Sequence, residues 1–156
     1  TTYMAMRALD GCGETALARD LARKVVFDMC ETWKTFEPHT VWECYSPTEA
    51  KPGTYAKTTG YSRDSFCGWS ALGPVSLFIE DVIGVKQANA FTNTLICDFE
   101  KNPKGRVGIE NYRFGKVICS IIATKDEIKV ESNLPFRLQV DRMCHAIRPG
   151  CNVFHR

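Results

Sequence analysis

Hydrophobic and polar positions follow a helical period through the first part of the chain. From Glu14 onward, apolar residues recur at steps of four and most charged residues fall between them. The apolar stripe consists of Leu17, Leu21, Val25, Met29 and Trp33, widened by Ala18, Val26 and Cys30. This spacing predicts an amphipathic α-helix that ends before Pro38, because the residue preceding a proline disfavours helical backbone. Such a helix needs a partner surface for its apolar face.

Two further helical patterns flank this one. A short pattern over residues 2–9 stops at Gly11-Cys12-Gly13, a pair of glycines suited to a tight connection between helices. A later pattern over residues 66–85 closes at Gly84, and its apolar positions are Leu72, Val75, Phe78, Ile79, Val82 and Ile83. Pro74 lies inside this pattern, so a regular helix can begin there, since proline is favoured at the first helical position.

After Gly84 the pattern changes to short β-rich runs separated by turn residues. The runs cover residues 92–99, 107–109, 116–123, 127–131 and 136–140. Alternation of Ile128 and Val130 with Lys129 and Glu131 predicts an antiparallel sheet with one face in solvent. The tail, residues 142–156, is expected to be an irregular closure. Helices followed by strands predict an α+β fold, with a helical domain over residues 1–86 and a small antiparallel β domain over residues 87–156.

The connection between the second and third helical patterns, residues 37–65, is unusually long and rich in proline and glycine. Long loops without regular structure are often functional. Within this loop Glu43 lies between Trp42 and Tyr45. A carboxylate between aromatic rings is typical of a sugar site, because pyranose C–H faces pack on rings and glycosidic cleavage uses carboxylates. The alternative interpretation is a half-buried loop whose aromatic residues belong to the core.

Composition and charge exclude several classes of function. With 156 residues, 44% hydrophobic and 24% charged, the chain has an ordinary globular composition. A net charge of +2 without a basic run argues against a nucleic-acid surface. The apolar runs are too short for a membrane span, and no signal-peptide pattern begins the given sequence. A start without Met suggests trimming or excision, and the compartment is left undetermined.

The eight cysteines are scattered, with no CxxC pair and no metal-ligand spacing to a histidine. We therefore expect no metal site, and we interpret most of these thiols as small buried hydrophobic groups. Cys144 and Cys151 flank a turn that could bring them together in an oxidising compartment.

Two segments carry a resemblance to a known family. They are Trp42-Glu43-Cys44-Tyr45-Ser46-Pro47 and Phe66-Cys67-Gly68-Trp69-Ser70-Ala71-Leu72. In this order they resemble the C-terminal end of six-hairpin, or α/α-toroid, glycoside hydrolases, the group that includes trehalase, processing α-glucosidase and mannosylglycerate hydrolase. The resemblance extends over most of the chain, since bacterial relatives follow the last toroid helix with a small β domain. Residues 108–115 are similar to a turn segment of that domain.

The resemblance implies specific roles for five residues. Glu43 matches the family's catalytic general base, which deprotonates water during hydrolysis of an α-glycosidic bond with inversion. The aromatic wall around the sugar is matched by Trp42, Tyr45, Phe66 and Trp69. The implied reaction uses no cofactor and no metal. The implied fold is the C-terminal helices of an α/α toroid followed by the β domain.

The chain departs from the family in one important respect. The family's general acid is an aspartate far upstream, and its toroid contains many more helices than the three predicted here. The resemblance therefore implies that an N-terminal toroid part or a partner chain supplies the acid, or that the chain self-associates through its helix faces. Among nearby carboxylates, Asp64 is either a substitute acid or a solvated loop residue. Glu80 and Asp81 are interpreted as the polar face of their helix.

Two other interpretations of the same residues stay open. One is a non-catalytic carbohydrate-binding or regulatory relic that keeps the aromatic wall and has lost the chemistry. The other is a structural unit of helices and sheet in which the aromatic residues are core. The hypothesis of a structural unit would be favoured if Trp42 and Trp69 are buried and Glu43 pairs with an arginine or lysine outside any cleft.

Overall fold

The computed structural model describes residues 2–54 and 60–156. The chain divides into two compact units, Thr1–Val82 and Ile83–Arg156, which we call the helical unit and the β unit. Helices come first and two sheets follow, so the protein has an α+β fold. The division lies between Val82 and Ile83, whereas the sequence pattern places it near residue 86.

The helical unit contains α1 (Thr2–Gly11), α2 (Thr15–Thr35) and α3 (Gly68–Leu77), and a π-helical segment, Phe78–Ile83, continues α3. The third pattern is therefore interrupted where one continuous helix was predicted. Pro74 lies inside α3 and not at its start. Because proline has no amide hydrogen, it removes one bond from the helical ladder. One turn later the Phe78 amide donates to the carbonyl oxygens of both Pro74 and Val75, where the wider helical turn begins.

The core of the helical unit is built on small residues of α2. Its buried cluster consists of Met6, Ala22, Val26 and Leu77, with Tyr3, Leu9, Leu21 and Val25 packed against it. Ala18, which belongs to the widened stripe, and Ala22, which does not, are fully buried, whereas Leu17 and Trp33 of the predicted stripe are 46% and 51% exposed. The buried face of α2 is thus rotated by about one position from the predicted stripe, because alanines allow neighbouring helices to approach closely.

The predicted apolar stripe of the third helix is also wrong in part. Leu72, Val75 and Phe78 are exposed, and Leu77, which is outside the predicted stripe, is buried. Periodicity identifies the apolar residues of a helix but does not identify which of them meet a partner. Leu72 and Val75 on α3 and Phe78 at the start of the π-helical segment therefore expose apolar side chains.

The β unit contains two four-stranded sheets. One has the order β1-β2-β6-β7 and the other the order β3-β4-β5-β8. The strands are β1 Val85–Asn89, β2 Thr94–Cys97, β3 Val107–Phe114, β4 Val117–Ala123, β5 Glu127–Ser132, β6 Phe136–Val140, β7 Met143–Ile147 and β8 Gly150–His155. Five of these strands coincide with the predicted β-rich runs. Among the described strands, β2 pairs with β6 in parallel and all the other pairs are antiparallel, so the first sheet is mixed.

The two sheets contact each other through their buried faces. Burial alternates strictly along β4 and β6, as expected for strands with one covered face. The rings of Phe114 in β3 and Phe136 in β6 meet edge to face with centroids 5.5 Å apart. The rings of His145 in β7 and Phe154 in β8 also meet across the sheets, with centroids 4.3 Å apart and their planes tilted by 44°. The core of the β unit therefore lies between the sheets.

The tail is the clearest correction to the sequence analysis, because residues 142–156 form β7 and β8 where an irregular closure was expected. β7 pairs with β6 through Leu138 and His145, and β8 pairs with β5 through Val130 and Asn152. Segment 108–115, predicted as a turn, likewise lies mostly within β3. Polar residues on edge strands weaken the alternation on which the prediction depended, while backbone pairing still fixes the strands.

Cys144 and Cys151 do not form the disulfide that the turn between them permits. Both thiols are free and exposed. Since His145 and Phe154 face the space between the sheets, Cys144 and Cys151 lie on the opposite faces of their strands. The two thiols thus point outward from different sheets.

Candidate functional site

The described parts of the long loop, residues 37–54 and 60–65, bring the two sequence motifs together. The Cys67 amide donates to the Val41 carbonyl oxygen at 3.0 Å, and the Glu43 amide donates to the Arg63 carbonyl oxygen at 3.3 Å. The Ser70 hydroxyl donates to the Glu43 carbonyl oxygen at 2.8 Å. These bonds fix the Glu43 backbone beside the first turn of α3. Residues 27 positions apart in sequence therefore share one site.

Close approach within the loop depends on a glycine and a serine. The Gly53 amide donates to the Cys44 carbonyl oxygen at 2.8 Å. A Cβ atom at Gly53 would lie 2.7 Å from the Cys44 sulfur, so a larger residue would require Cys44 to shift. The buried Ser62 hydroxyl donates to the same Cys44 carbonyl oxygen at 3.0 Å. The segment that follows Glu43 is therefore held from both sides.

Arg63 lies between the carboxylate and the exposed aromatic ring of the site. Its Nη2 is 3.9 Å from Oε1 of Glu43, and the Glu43 side chain is 34% exposed. The Arg63 guanidinium carbon lies 5.2 Å from the centroid of the Trp69 ring, a cation–π distance. Nη2 is also 3.9 Å from the Cys67 sulfur. One guanidinium thus contacts residues of both motifs.

The predicted aromatic wall is divided between surface and interior. Phe66 and Trp69 are 67% and 65% exposed. Trp42 is buried, with 2% exposure, and its ring meets Tyr61 edge to face at 6.0 Å. Phe66 and Trp69 therefore present ring surface to solvent, whereas Trp42 lies beneath the loop.

Tyr45 is a half-buried residue that supports the loop. Its phenol oxygen accepts a hydrogen bond from the Trp42 amide at 3.1 Å. Burial raises the pKa of the Tyr45 phenol, and the bond from the Trp42 amide partly offsets that rise. Tyr45 therefore stays neutral at physiological pH and fixes the turn that carries Glu43.

The three carboxylates weighed as partners of Glu43 lie in different environments. Asp64 is exposed. Glu80 accepts a hydrogen bond from the Tyr3 hydroxyl at 3.1 Å and pairs with Arg7 at 3.2 Å, so it ties α1 to the π-helical segment. Asp81 was expected on a polar helix face, but it is 1% exposed, and Arg19 donates to its backbone carbonyl oxygen. The interpretation of Asp81 as a solvated residue is wrong, because the wider π-helical turn rotates it inward.

Two buried thiols of the β unit are chemically unreactive. Burial raises the pKa of the Cys119 thiol to about 11. It raises the pKa of Cys97 further still. Since the thiolate is the reactive form, both residues behave as small hydrophobic groups. The sequence analysis expects burial of most cysteines, and this is wrong. Only Cys67, Cys97 and Cys119 are buried, and the other five thiols are exposed.

A shallow groove of about 340 Å³ lies on the outer face of the second sheet. Its polar lining includes Asn111, Ser120, Glu131, Asn133 and Cys151. Several of these groups bond one another or nearby backbone. The Ser120 hydroxyl accepts from the Asn111 amide, and the Asn133 side-chain oxygen accepts from the Ile118 amide of β4. Glu131 pairs with Lys129. None of the predicted site residues lines this groove.

Neither a metal centre nor a membrane span is found in the part of the chain that the structure describes. Within residues 2–54 and 60–156, no three His, Cys, Asp or Glu side chains are grouped so as to hold a metal ion. Over the same residues, no helix combines the length and the apolar character needed to cross a bilayer.

Arg63, Ser62 and Ser70 are site residues that the sequence analysis did not identify. Ser70 lies in the second motif, but nothing in its spacing shows that its hydroxyl bonds the Glu43 backbone. Arg63 carries no periodic or motif signal, because its role depends on the path of an irregular loop.

Comparison of the chain with protein-family models, with curated proteins and with solved structures finds no match.

Proposed function

We propose that this chain supplies the general-base end of an inverting α-glycoside hydrolase site, with Glu43 as the base. The observation that carries the proposal is the meeting of the two motifs, in which the Ser70 hydroxyl bonds the Glu43 backbone and Arg63 contacts both Glu43 and Trp69. A carboxylate and an exposed aromatic ring so placed are two of the elements that a sugar-cleaving site uses.

The environment of Glu43 supports its role as a base that acts on water. Its side chain is partly exposed, so water and a sugar hydroxyl can reach the carboxylate. Arg63 contributes positive charge 3.9 Å from one of its oxygens. In an inverting enzyme this carboxylate deprotonates the water on one face of the sugar while a second carboxyl group protonates the leaving oxygen.

Phe66 and Trp69 supply the sugar-facing rings in this proposal. Each exposes about two thirds of its surface, which leaves a flat apolar face for the C–H groups of a pyranose. Trp42 and Tyr45 form the base of the site. The hydrogen bond from the Trp42 amide to the Tyr45 phenol oxygen supports the loop that carries Glu43.

The general acid belongs, in this proposal, to a segment or partner beyond these 156 residues. Glu80 is already engaged by Tyr3 and Arg7, and Asp81 is buried, so neither is a good proton donor to a sugar. Asp64 is the alternative acid within the chain. Leaving-group protonation contributes about 100-fold to 10,000-fold, so the identity of the acid decides whether these residues turn over substrate alone.

The test is hydrolysis of α-linked disaccharides, with maltose and trehalose as probes, by the protein that contains this chain. We expect Glu43→Gln to lower kcat by at least about 100-fold, because the amide cannot accept the proton from water. NMR of the first product should show the β-anomer. Glu49→Gln is the matched control, since Glu49 is an exposed carboxylate of the same loop. Equal activity in Glu43→Gln and wild type would overturn the proposal.

A second function, binding of carbohydrate without hydrolysis, is favoured by one observation. Trp69 keeps an open ring surface while the Glu43 carboxylate already has a cationic neighbour in Arg63. This candidate predicts that maltose or trehalose binds, that Trp69→Ala weakens binding and that no product forms. Calorimetry together with product analysis separates it from the hydrolase.

A further inference from the structure

We propose that Arg63 is a positioning residue of this site, which sets the Glu43 carboxylate and the Trp69 ring relative to each other. The inference rests on the proposed function and adds a residue that neither motif contains. It depends on three contacts made by one guanidinium, with Glu43, Trp69 and Cys67.

The backbone of Arg63 belongs to the same arrangement as its side chain. The Arg63 carbonyl oxygen accepts a hydrogen bond from the Glu43 amide. The backbone of Arg63 is therefore bonded directly to the backbone of Glu43. The neighbouring Ser62 is buried and bonds Cys44. Arg63 therefore leaves a fixed stretch of backbone next to Glu43, which limits where its side chain can reach.

The planar shape of the guanidinium suits this position better than an ammonium group would. A guanidinium can stack on a ring face while its edge points toward a carboxylate, whereas a lysine provides a point charge on a flexible stem. With Arg63 against one face of Trp69, the ring is restrained and the rest of its exposed surface is left for ligand. Glu43 and Trp69 then act on the same sugar from set directions.

The contact with Trp69 is tested first without sugar. In a Trp33→Phe background, the exposed emission comes from Trp69, because Trp42 is buried. We expect Arg63→Met to change the emission maximum and to raise acrylamide quenching of Trp69, since the ring loses its cationic cover. Arg106→Met, at an exposed arginine outside the site, should leave both unchanged. Identical spectra and quenching in Arg63→Met and its parent would overturn the inference.

The positioning role is tested next in the protein that hydrolyses or binds the α-linked disaccharide. We expect Arg63→Met to lower kcat by about 10-fold to 100-fold, a loss typical of a reactive group that is slightly misplaced, with a smaller change in KM. Arg63→Lys should recover part of kcat, because it restores the charge beside Glu43 but not the flat stack. If the protein binds sugar without hydrolysis, the corresponding loss appears in Kd.

The outcomes separate this inference from the proposed function. A merely structural role for Arg63 would lower the melting temperature and leave kcat per folded molecule unchanged, which contradicts positioning. A wild-type protein that neither binds nor cleaves the disaccharides would overturn the proposed function and, with it, the role of Arg63 at a sugar site. A normal kcat and KM in Arg63→Met, with wild-type activity present, would overturn the inference alone.

Discussion

Arg156 makes the most extensive set of side-chain hydrogen bonds in the described β unit. Its guanidinium donates to both carboxylate oxygens of Asp141, at 3.0 and 3.4 Å. Its other acceptors are the backbone carbonyl oxygens of Phe99, Glu100 and Thr124, at 2.9 to 3.3 Å. The side chain is 6% exposed, so these bonds form largely out of water. They connect the end of β8 with the turn after β6 and with the segments that follow β2 and β4.

We predict that Arg156→Met lowers the free energy of unfolding by about 2 to 3 kcal/mol. The substitution keeps the apolar stem but leaves the Asp141 carboxylate and the three carbonyl oxygens without their charged donor. Guanidinium chloride unfolding followed by circular dichroism measures the change. Arg113→Met is the control, because Arg113 is an exposed arginine on β3 and should cost less than about 0.5 kcal/mol. Equal losses from both variants would contradict this account of Arg156.

At the scale of single residues, the sequence identifies candidate functional side chains better than it predicts their burial. It singles out Glu43 and Trp69, but the burial of Trp42 and Asp81 follows only from the folded loop and the π-helical turn. The contacts of Arg63 and Arg156 cannot be predicted from the sequence either. An arginine that binds distant carbonyl oxygens has the same local sequence pattern as one that is solvated.

At the scale of elements, the strand pattern is strongest where one face is apolar. β4 and β6 are predictable because their side chains alternate between core and solvent. β7 and β8 are not, since each has an edge position and mostly exposed side chains. The parallel pairing of β2 with β6 also cannot be predicted from the local sequence pattern, because the two strands are distant in sequence.

Gly108 provides a test of how tightly β3 and β4 pack. A Cβ atom at Gly108 would lie 2.0 Å from the Ile121 carbonyl oxygen, far inside a van der Waals contact. Because that atom belongs to the backbone of a paired strand, no side-chain rotation relieves the overlap. We predict that Gly108→Ala lowers the stability of the β unit by about 2 kcal/mol or more, in the range of other overpacking changes.

Gly11→Ala is the matched control for the Gly108 variant. Gly11 is the last residue of α1, and a Cβ atom there meets nothing within 4 Å. Because alanine is favoured over glycine in helical backbone, this variant should be neutral or slightly more stable. Urea unfolding of the two variants side by side measures the difference. A Gly108→Ala protein as stable as wild type would show that the strands can separate at low cost.

At the scale of the whole molecule, the order of helices and strands is predictable, whereas the path of the long loop is not. The loop places Glu43 beside α3 through backbone bonds that leave no periodic signature. The sequence analysis predicts helix faces that need a partner surface, and the helical unit exposes many apolar side chains. Its exposed large apolar residues include Met4, Leu17, Phe27, Trp33, Phe66, Trp69, Leu72, Val75 and Phe78.

This exposure predicts concentration-dependent association of the isolated chain. Scattered apolar side chains are ordinary at a protein surface, but an array on one helix is an association surface. Leu72 and Val75 of α3 are 69% and 59% exposed, and each lies outside the motif contacts that fix Glu43. We expect the double variant Leu72→Lys and Val75→Lys to lower the average mass seen by light scattering at high concentration, since lysine resists burial and like charges repel.

The folded state should tolerate this change, because the two side chains contribute little to the core. The melting temperature of the double variant should therefore stay within a few degrees of wild type, as is usual for surface substitutions. Leu77→Lys is the contrasting variant, since Leu77 is 1% exposed and belongs to the buried cluster with Met6 and Val26. It should unfold the helical unit. A wild-type chain that stays monomeric at every concentration would contradict the prediction and would mean that the exposed face of α3 does not drive association by itself.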